Sequence, residues 1–438
     1  MKKNKSHGCA VNTTLYPDHV FPDLEALAGA KSALANATAP RADGGAPPPF
    51  WIGVGFVKPH MPHVFPAEFY DDVPALADID LVSNGYEPNG TARLEWESGA
   101  EGPAQGRFGN GTDPDTARDW RRGYYAAAAF SDHLLGELLA ALNATGAAAD
   151  TVVVMTADHG WGLGEHNHWV KYVRPRACSR SLPLVLYSRS STYSCTRSLA
   201  HSLIRPPVLL LCANQSPTRY TNWETDARVP LLIADPAAPQ THGRHTGSLV
   251  EHVDLYPTLA EMAGLGPVDV TVEAVEGSSY AVLFDAARTP DPEAAGALWA
   301  SAANASFTQY PRCCTSKPAF DPAKPLGAQC NGGAAVHRCT STPKANFTFM
   351  GYSMRTTEFR YTEFARWGGV NRPVWSPVPH ALCELYDHRG NTGRTKATFE
   401  AFENENLAND PAHAGTVRAL SQRLRAFFDK TPPALRAV

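Results

Sequence analysis

Thr151 to Lys171 reads TVVVMTADHGWGLGEHNHWVK, and its interpretation decides the fold. Thr151 to Met155 is a β-branched run, continuous rather than alternating. That pattern suits a parallel strand covered on both faces. The strand runs straight into Asp158, His159 and Gly160. In open α/β sheets, functional groups gather just beyond the carboxyl ends of strands. Asp158 offers a hard anionic oxygen, the ligand type that Ca2+ or Mg2+ needs. His159 can donate to an anionic group or ligate beside one. Gly160, Gly162 and Gly164 let the backbone turn tightly. Lys171 adds a point positive charge suited to a sulfate or phosphate oxygen. An isolated Asp-His-Gly would be no more than a capped strand end; the whole string is far more specific.

A second cluster, Lys58-Pro59-His60-Met61-Pro62, follows Phe50 to Phe56 (FWIGVGF), an apolar run with prolines on both sides that reads as a buried strand. Alone, this cluster reads as a surface lysine and a satisfied histidine. Beside Asp158 it gains weight, because both would sit at strand ends of one sheet. Leu24 to Ala37 reads as a helix with Leu24, Leu27 and Leu34 on one face. Arg41 to Pro49 is a Pro/Gly linker, and Pro74 to Asp115 an irregular excursion. Thr116 to Ala144 is the clearest helix, with Tyr124, Ala127, Ala128, Leu135, Leu138, Leu139 and Leu142 on its apolar face. Val229 to Ala234 is an apolar run that Pro230 weakens as a central strand. His252 to Ala263 reads as a helix. This order favours an α/β fold. Residues 1–266 are therefore expected to form the α/β core, and 267–438 a smaller α+β subdomain. In the latter, strands are expected at Phe307 to Tyr310, Tyr352 to Thr356, Arg360 to Phe364 and Leu382 to Tyr386. A closing helix over Ala412 to Phe428 would put Val417, Leu420, Leu424 and Phe428 on one stripe.

The chain has 438 residues, 43% hydrophobic and 19% charged, with a net charge of -4. That balance is ordinary for a globular protein and argues against a nucleic-acid partner. No apolar run reaches bilayer length; the longest, Pro206 to Ala213, is far too short. Met1 to His7 is not a signal peptide. Nine N-x-[ST] sequons, at Asn4, Asn12, Asn36, Asn89, Asn110, Asn143, Asn214, Asn304 and Asn346, lean towards a secretory glycoprotein, lysosomal, vacuolar or extracellular. Nine cysteines permit disulfides, and Cys313, Cys314, Cys330 and Cys339 lie close enough to pair locally; reduced thiols in a cytosolic protein are the alternative.

FWIGVGFVKPHMPHVFPAEFYD, TADHGWGLGEHNHWVK, NWETDARVPLLI, HVDLYPTLAEMAGL and MGYSMRTTEFRYTEF occur in this order. Together they resemble the sulfatase family, and within it the iduronate-2-sulfatase type, from roughly Asn12 to Phe428. The resemblance implies an alkaline-phosphatase-like α/β fold and hydrolysis of sulfate esters with bound Ca2+ and a formylglycine made from Cys or Ser. It implies that Asp158 and His159 are metal-site residues and that His60 and Lys171 contact the sulfate group. The formylglycine hydrate would attack sulfur, with the metal and cations absorbing the developing charge. A sulfated sugar, or another sulfate ester, would be the partner. A phosphohydrolase of the same wider superfamily is a second reading, and a non-catalytic binder of sulfated sugars a third.

Two departures bear on this. The family's C-x-[PA]-x-R modification motif follows none of the nine cysteines, and its early Asp-Asp pair and Lys-x-x-His element are also absent. The fold is therefore expected to be incomplete and the chain as written inactive. Secondly, 48 residues, Val173 to Tyr220, stand where Tyr172 should run almost directly into Thr221. They hold seven arginines and three cysteines but no Asp, Glu, Lys or Gly. Three readings compete: translated non-coding sequence, a lineage-specific loop, or a basic arm for an acidic polymer. The abrupt edges favour the first.

Overall fold

The computed structural model of the chain describes residues 8–16, 20–92, 94–95, 113–169, 208–213, 221–265, 277–284, 305–313, 337–339, 343, 347–367, 373–375, 382–391 and 400–429. Its first part contains β1 (Gly8–Val11), α1 (Pro22–Thr38), β2 (Trp51–Phe56), β3 (His63–Pro66), α2 (Pro114–Ala144), β4 (Val152–Ala157), β5 (Val208–Ala213), α3 (Glu224–Ala227), β6 (Leu231–Ala234) and α4 (Leu255–Met262). Strands β2, β5, β4 and β6 form one sheet in that order. β5 is parallel to both neighbours, and β6 is antiparallel to β4.

The valine run explains itself in this sheet. Val152 and Val154 are fully buried against Leu259 of α4. Val153 and Met155 pack on the opposite face, with the cluster of Phe56, Phe65, Phe130, Leu134 and Leu138. Both faces of β4 are covered, so it needs no polar alternation. Pro230 stands just before β6, an edge strand, where a missing N–H costs little.

Several faces differ from the sequence expectation. In α1 the buried residues are Asp23, Leu27, Ala30 and Leu34, while Leu24 is 43% exposed. The inward stripe begins at Asp23 because its carboxylate accepts the Val57 and Lys58 N–H groups at the end of β2. Strand β2 lies at the sheet edge, so Trp51 is 46% exposed rather than buried. Along α2 the buried stripe runs through Trp120, Ala127, Phe130, Leu134, Leu138 and Leu142, while Tyr124, Ala128, Leu135 and Leu139 are only half-buried. Phe130 sets this phase, because its ring packs on Phe21 at 5.6 Å and Phe69 at 5.2 Å. Asp113 caps the helix by accepting the Thr116 N–H (2.9 Å).

The segment expected to be anomalous also contributes to the sheet. Val208–Ala213 comes from within it and separates β2 from β4. Trp51 to Phe56 and Val152 to Ala157 both run in register with it, so β2 and β4 meet only through β5. The apolar run Pro206 to Ala213, weighed in the sequence only against bilayer length, supplies this strand. Residues 173–207 and 214–220 lie outside the described set.

β1 and β3 pair with each other in parallel, and the strands that follow β6 form a second main sheet, which is antiparallel. β7 (Ala305–Cys313), β8 (His337–Arg338), β9 (Phe349–Thr356) and β10 (Phe359–Trp367) lie in the order β8-β7-β9-β10. β11 (Pro373–Val374) and β12 (Cys383–Asp387) both pair with β10. α5 (Ala414–Phe428) buries Leu424 completely, with Val417, Leu420 and Phe428 partly buried against the same cluster. Cys313 is disulfide-bonded to Cys339, one local pairing of the expected cluster; Cys314 and Cys330 lie outside the described residues. Ala92 and Leu94 pack with Phe349, Phe364 and Leu382, so a stretch from the first half belongs to the packing of the second sheet.

Leu134 is fully buried in the main cluster. Leu134→Ala is expected to lower unfolding stability by about 2–5 kcal/mol, read by urea denaturation.

Candidate functional site

The loops after β2 and β4 face one another at the carboxyl end of the first sheet. After β2, Lys58 folds back on its own loop: its ammonium donates to the carbonyls of His60 (2.9 Å) and Pro62 (2.8 Å). Burial pulls it down to about 8, partly opposed by Asp23. Lys58 is therefore a brace for the loop, not an open cation. The loop is pinned again by Ser131 of α2, which donates to the Lys58 carbonyl (2.8 Å). His60 is thereby left half-buried, with its ring edge-on to Trp161 at 6.2 Å. His63 is buried between Tyr124 (5.8 Å) and the same Trp161 (6.3 Å). Trp161 comes from the loop after β4, so it joins the two sequence clusters.

After β4, Asp158 Oδ1 accepts the His159 N–H (3.0 Å). His159 Nδ1 lies 2.7 Å from the Gly160 carbonyl, a contact that requires Nδ1 to carry the proton. Its Nε2 lies 3.6 Å from Asp158 Oδ2, and in the neutral ring it would carry the lone pair. Two acceptors at that distance suit a shared cation. Asp158 and His159 thus fit two ligands of a hard metal ion. Calcium takes about six to eight oxygens; Asp158 supplies oxygen and His159 a nitrogen, so the pair is only a fragment of a complete set.

The loop beyond is held tightly. Gly160 donates to the Asp226 carbonyl (2.8 Å), and a Cβ on Gly160 would lie 1.9 Å from the Thr225 carbonyl oxygen. Gly164 has φ +115°, and His166 and Asn167 adopt φ 52° and 56°, in the left-handed region that non-glycine residues avoid. Both are buried. Burial lowers His166 to about 4, so its ring is neutral, edge-on to Trp223 at 4.8 Å. Arg121 of α2 donates to the Leu163 carbonyl (2.9 Å) and lies 3.8 Å from Glu165. Lys171 lies outside the described residues.

Sequence reasoning missed the support behind this loop. Trp223 is completely buried and donates to Glu384 Oε2 (3.4 Å). Thr221 donates twice to Asp226 Oδ2, from its N–H (2.9 Å) and its hydroxyl (2.8 Å). Glu224 pairs with Arg360, which also donates to Glu403 Oε1 (2.6 Å); His388 lies 3.1 Å from that same oxygen. Donor atoms of Glu224, His388 and Glu403 lie within 4.8 Å of one another, a possible cation group among the described residues. The Arg360 guanidinium already bridges the two carboxylates, and Arg355 sits 3.4 Å from Glu224, so the charge is balanced without a metal. The only sequence signal was the charge of TNWETDARVP, which has no meaning until the second sheet is in place.

Two further acids line the same seam. Glu95 binds the Asn222 backbone and side chain. Glu384 accepts from Thr91 Oγ1 (2.6 Å) and the Ala92 N–H (2.7 Å). Burial raises both, and Glu384 adds to the rise of Glu95, to about 8 for Glu95 and about 7 for Glu384.

Comparison with known proteins decides the family. A family model described as Sulfatase matches residues 30–265, more than half of the chain. The chain belongs to the sulfatase family. The iduronate 2-sulfatase of Mus musculus is 28% identical over 434 residues, covering 94% of this chain and 66% of that protein. The iduronate 2-sulfatase of Homo sapiens is 27% identical, covering 83% of this chain and 59% of that protein. The chain therefore spans about three-fifths to two-thirds of the length of these relatives. A solved 2-O GAG sulfatase superposes with TM-score 0.54 at 16% identity, over 95% of this chain and 65% of that one, which shows the shared fold. The sulfatase-type α/β fold with an additional C-terminal sheet is thus established.

Two outcomes follow from this geometry. Gly160→Ala should lower the melting temperature clearly, because the new methyl meets the Thr225 backbone; Gly136→Ala, on an open helix face, should raise stability by about 0.5–1 kcal/mol. Glu95 and Glu384 have raised folded-state pKa values, so their contribution is full below about pH 4.5 and is lost as pH rises through about 7 to 8. Melting temperature is expected to fall across that window, and Glu384→Gln to flatten the fall.

Proposed function

We propose that this chain carries the metal- and sulfate-binding part of a sulfuric ester hydrolase site, acting on a sulfated sugar. The observation that carries this reading is the meeting of His60 with the Asp158–His159 loop through Trp161, beyond the carboxyl ends of strands in one sheet. Asp158 and His159 Nε2 would hold a Ca2+ ion as two of its ligands. That ion would supply Lewis-acid stabilisation of charge on the sulfate oxygens. His60, whose Nδ1 is bonded to the Met61 carbonyl, would donate from Nε2 to a sulfate oxygen in its protonated form, with Trp161 fixing the ring plane. Lys171 would offset the second oxygen's charge. A sulfated sugar is favoured because the similar mammalian proteins are iduronate 2-sulfatases.

Turnover needs a nucleophile, and no cysteine of this sequence begins C-x-[PA]-x-R. We therefore expect binding without hydrolysis by the chain as written. The Cys313–Cys339 disulfide favours an oxidising compartment, in line with a secretory, lysosomal or vacuolar or extracellular protein.

The test is calorimetric titration of the chain with Ca2+, and then with a 2-O-sulfated uronic acid disaccharide. Asp158→Asn is expected to weaken calcium binding at least tenfold, and His60→Ala to weaken the sugar without affecting calcium. Absence of calcium and sugar binding would sink the reading. Tighter binding of a phosphate monoester would turn it towards phosphohydrolysis.

A further inference from the structure

The turn that carries Asp158 and His159 rests on backbone supplied by α3, and α3 is gripped from the other side by the second sheet. Gly160 is bonded to the Asp226 carbonyl and has no space between itself and Thr225. The Glu224 N–H donates to Glu403 Oε2 (2.8 Å), fixing the first turn of α3 to the 400–405 loop. The Glu224 carboxylate meets Arg360 of β10, Arg355 of β9 and the half-exposed Arg228. Arg360 uses separate nitrogens for its two acids, Nη2 for Glu224 and Nε for Glu403. All of Glu224, Arg355, Arg360, His388 and Glu403 are buried.

We propose that Arg360 is a positioning residue for the candidate metal site: by bridging Glu224 and Glu403 it holds α3 against the Asp158–Gly160 turn and so sets the spacing of Asp158 and His159. The planar fork matters because it satisfies two carboxylates in fixed directions, which an ammonium on a flexible stem does not. Burial alone would raise both acids. The arginines overcome it, holding Glu224 at about 2 and Glu403 below its usual range, so both stay ionised and available to the fork. Part of this proposal, the functional meaning of the turn, rests on the reading of Asp158 and His159 as cation ligands. The bracing itself does not.

The experiment is amide hydrogen exchange of the full chain, read at Gly160 and Trp161, in Arg360→Lys and Glu403→Gln. The control is Leu424→Ala, which removes a buried side chain from the same half of the protein without touching the network. At temperatures set equally far below each variant's melting point, Arg360→Lys is expected to lose at least tenfold protection at Gly160, while Leu424→Ala keeps it. Glu403→Gln, which keeps the side-chain shape, serves if the lysine variant does not fold. Equal loss in the control, or no loss in either network variant, overturns the proposal. Calcium titration of the same proteins separates the two readings. If the parent chain binds calcium, Arg360→Lys should weaken it at least tenfold. If the parent chain binds none, the sulfatase-site reading fails, and the exchange result still decides whether Arg360 braces the turn.

Discussion

There is no room for a side chain on Gly160, and much of the molecule is arranged around that fact. The turn after β4 lies directly on the backbone of Thr225, at a separation that only a glycine permits. Whatever holds α3 therefore holds the turn, and α3 is too short to be stable by itself. Its stability comes from neighbours: Trp223 wedged under His166 and His168, Asp226 closing on Thr221, and charged groups from the second sheet. The first sheet presents the chemistry, and the second sheet fixes the element beneath it.

The seam between the sheets treats buried acids in two opposite ways. Glu224 and Glu403 are kept ionised by arginines close enough to outweigh the loss of water. At Glu95, burial and the nearby Glu384 outweigh Arg312, which bonds the Glu95 backbone carbonyl, and at Glu384 burial outweighs its hydrogen bonds, so both are driven towards the neutral form. The same residue type thus serves as a charged anchor where arginines bond its carboxylate, and as a proton-bearing hydrogen-bond partner where burial prevails.

Much of this was legible in the sequence, for reasons that can be named. The valine run of β4 reads correctly because it is buried on both faces, and the string after it is dense in residues with few structural uses. Helix α2 was found, and Ala127, Leu138 and Leu142 of its expected face are buried, but Phe130 and Leu134 displace Leu135 and Leu139 once Phe21 and Phe69 are in contact. Lys58 looked like a cation for a ligand, yet it serves carbonyls two and four residues away, which composition does not reveal. The role of α3 was invisible because its partners arrive from β9, β10 and residue 403. Strand β5 was weighed only against bilayer length, although its own six residues, VLLLCA, are a plain strand signal.

One detail beside the site bears on how the chain acquires its structure. The Ser83 N–H and hydroxyl both bond Glu400 Oε2, across 317 residues of sequence. Asn84, the next residue, accepts the N–H of His166 in the loop that follows β4. The chain emerging from a ribosome cannot settle this corner until Glu400 has been made. Closing so long a loop is entropically slow, and it is rewarded only when both ends are present. The second sheet must therefore be synthesised before the first can complete its working end, and the intervening interval leaves apolar surface open to chaperones or to aggregation.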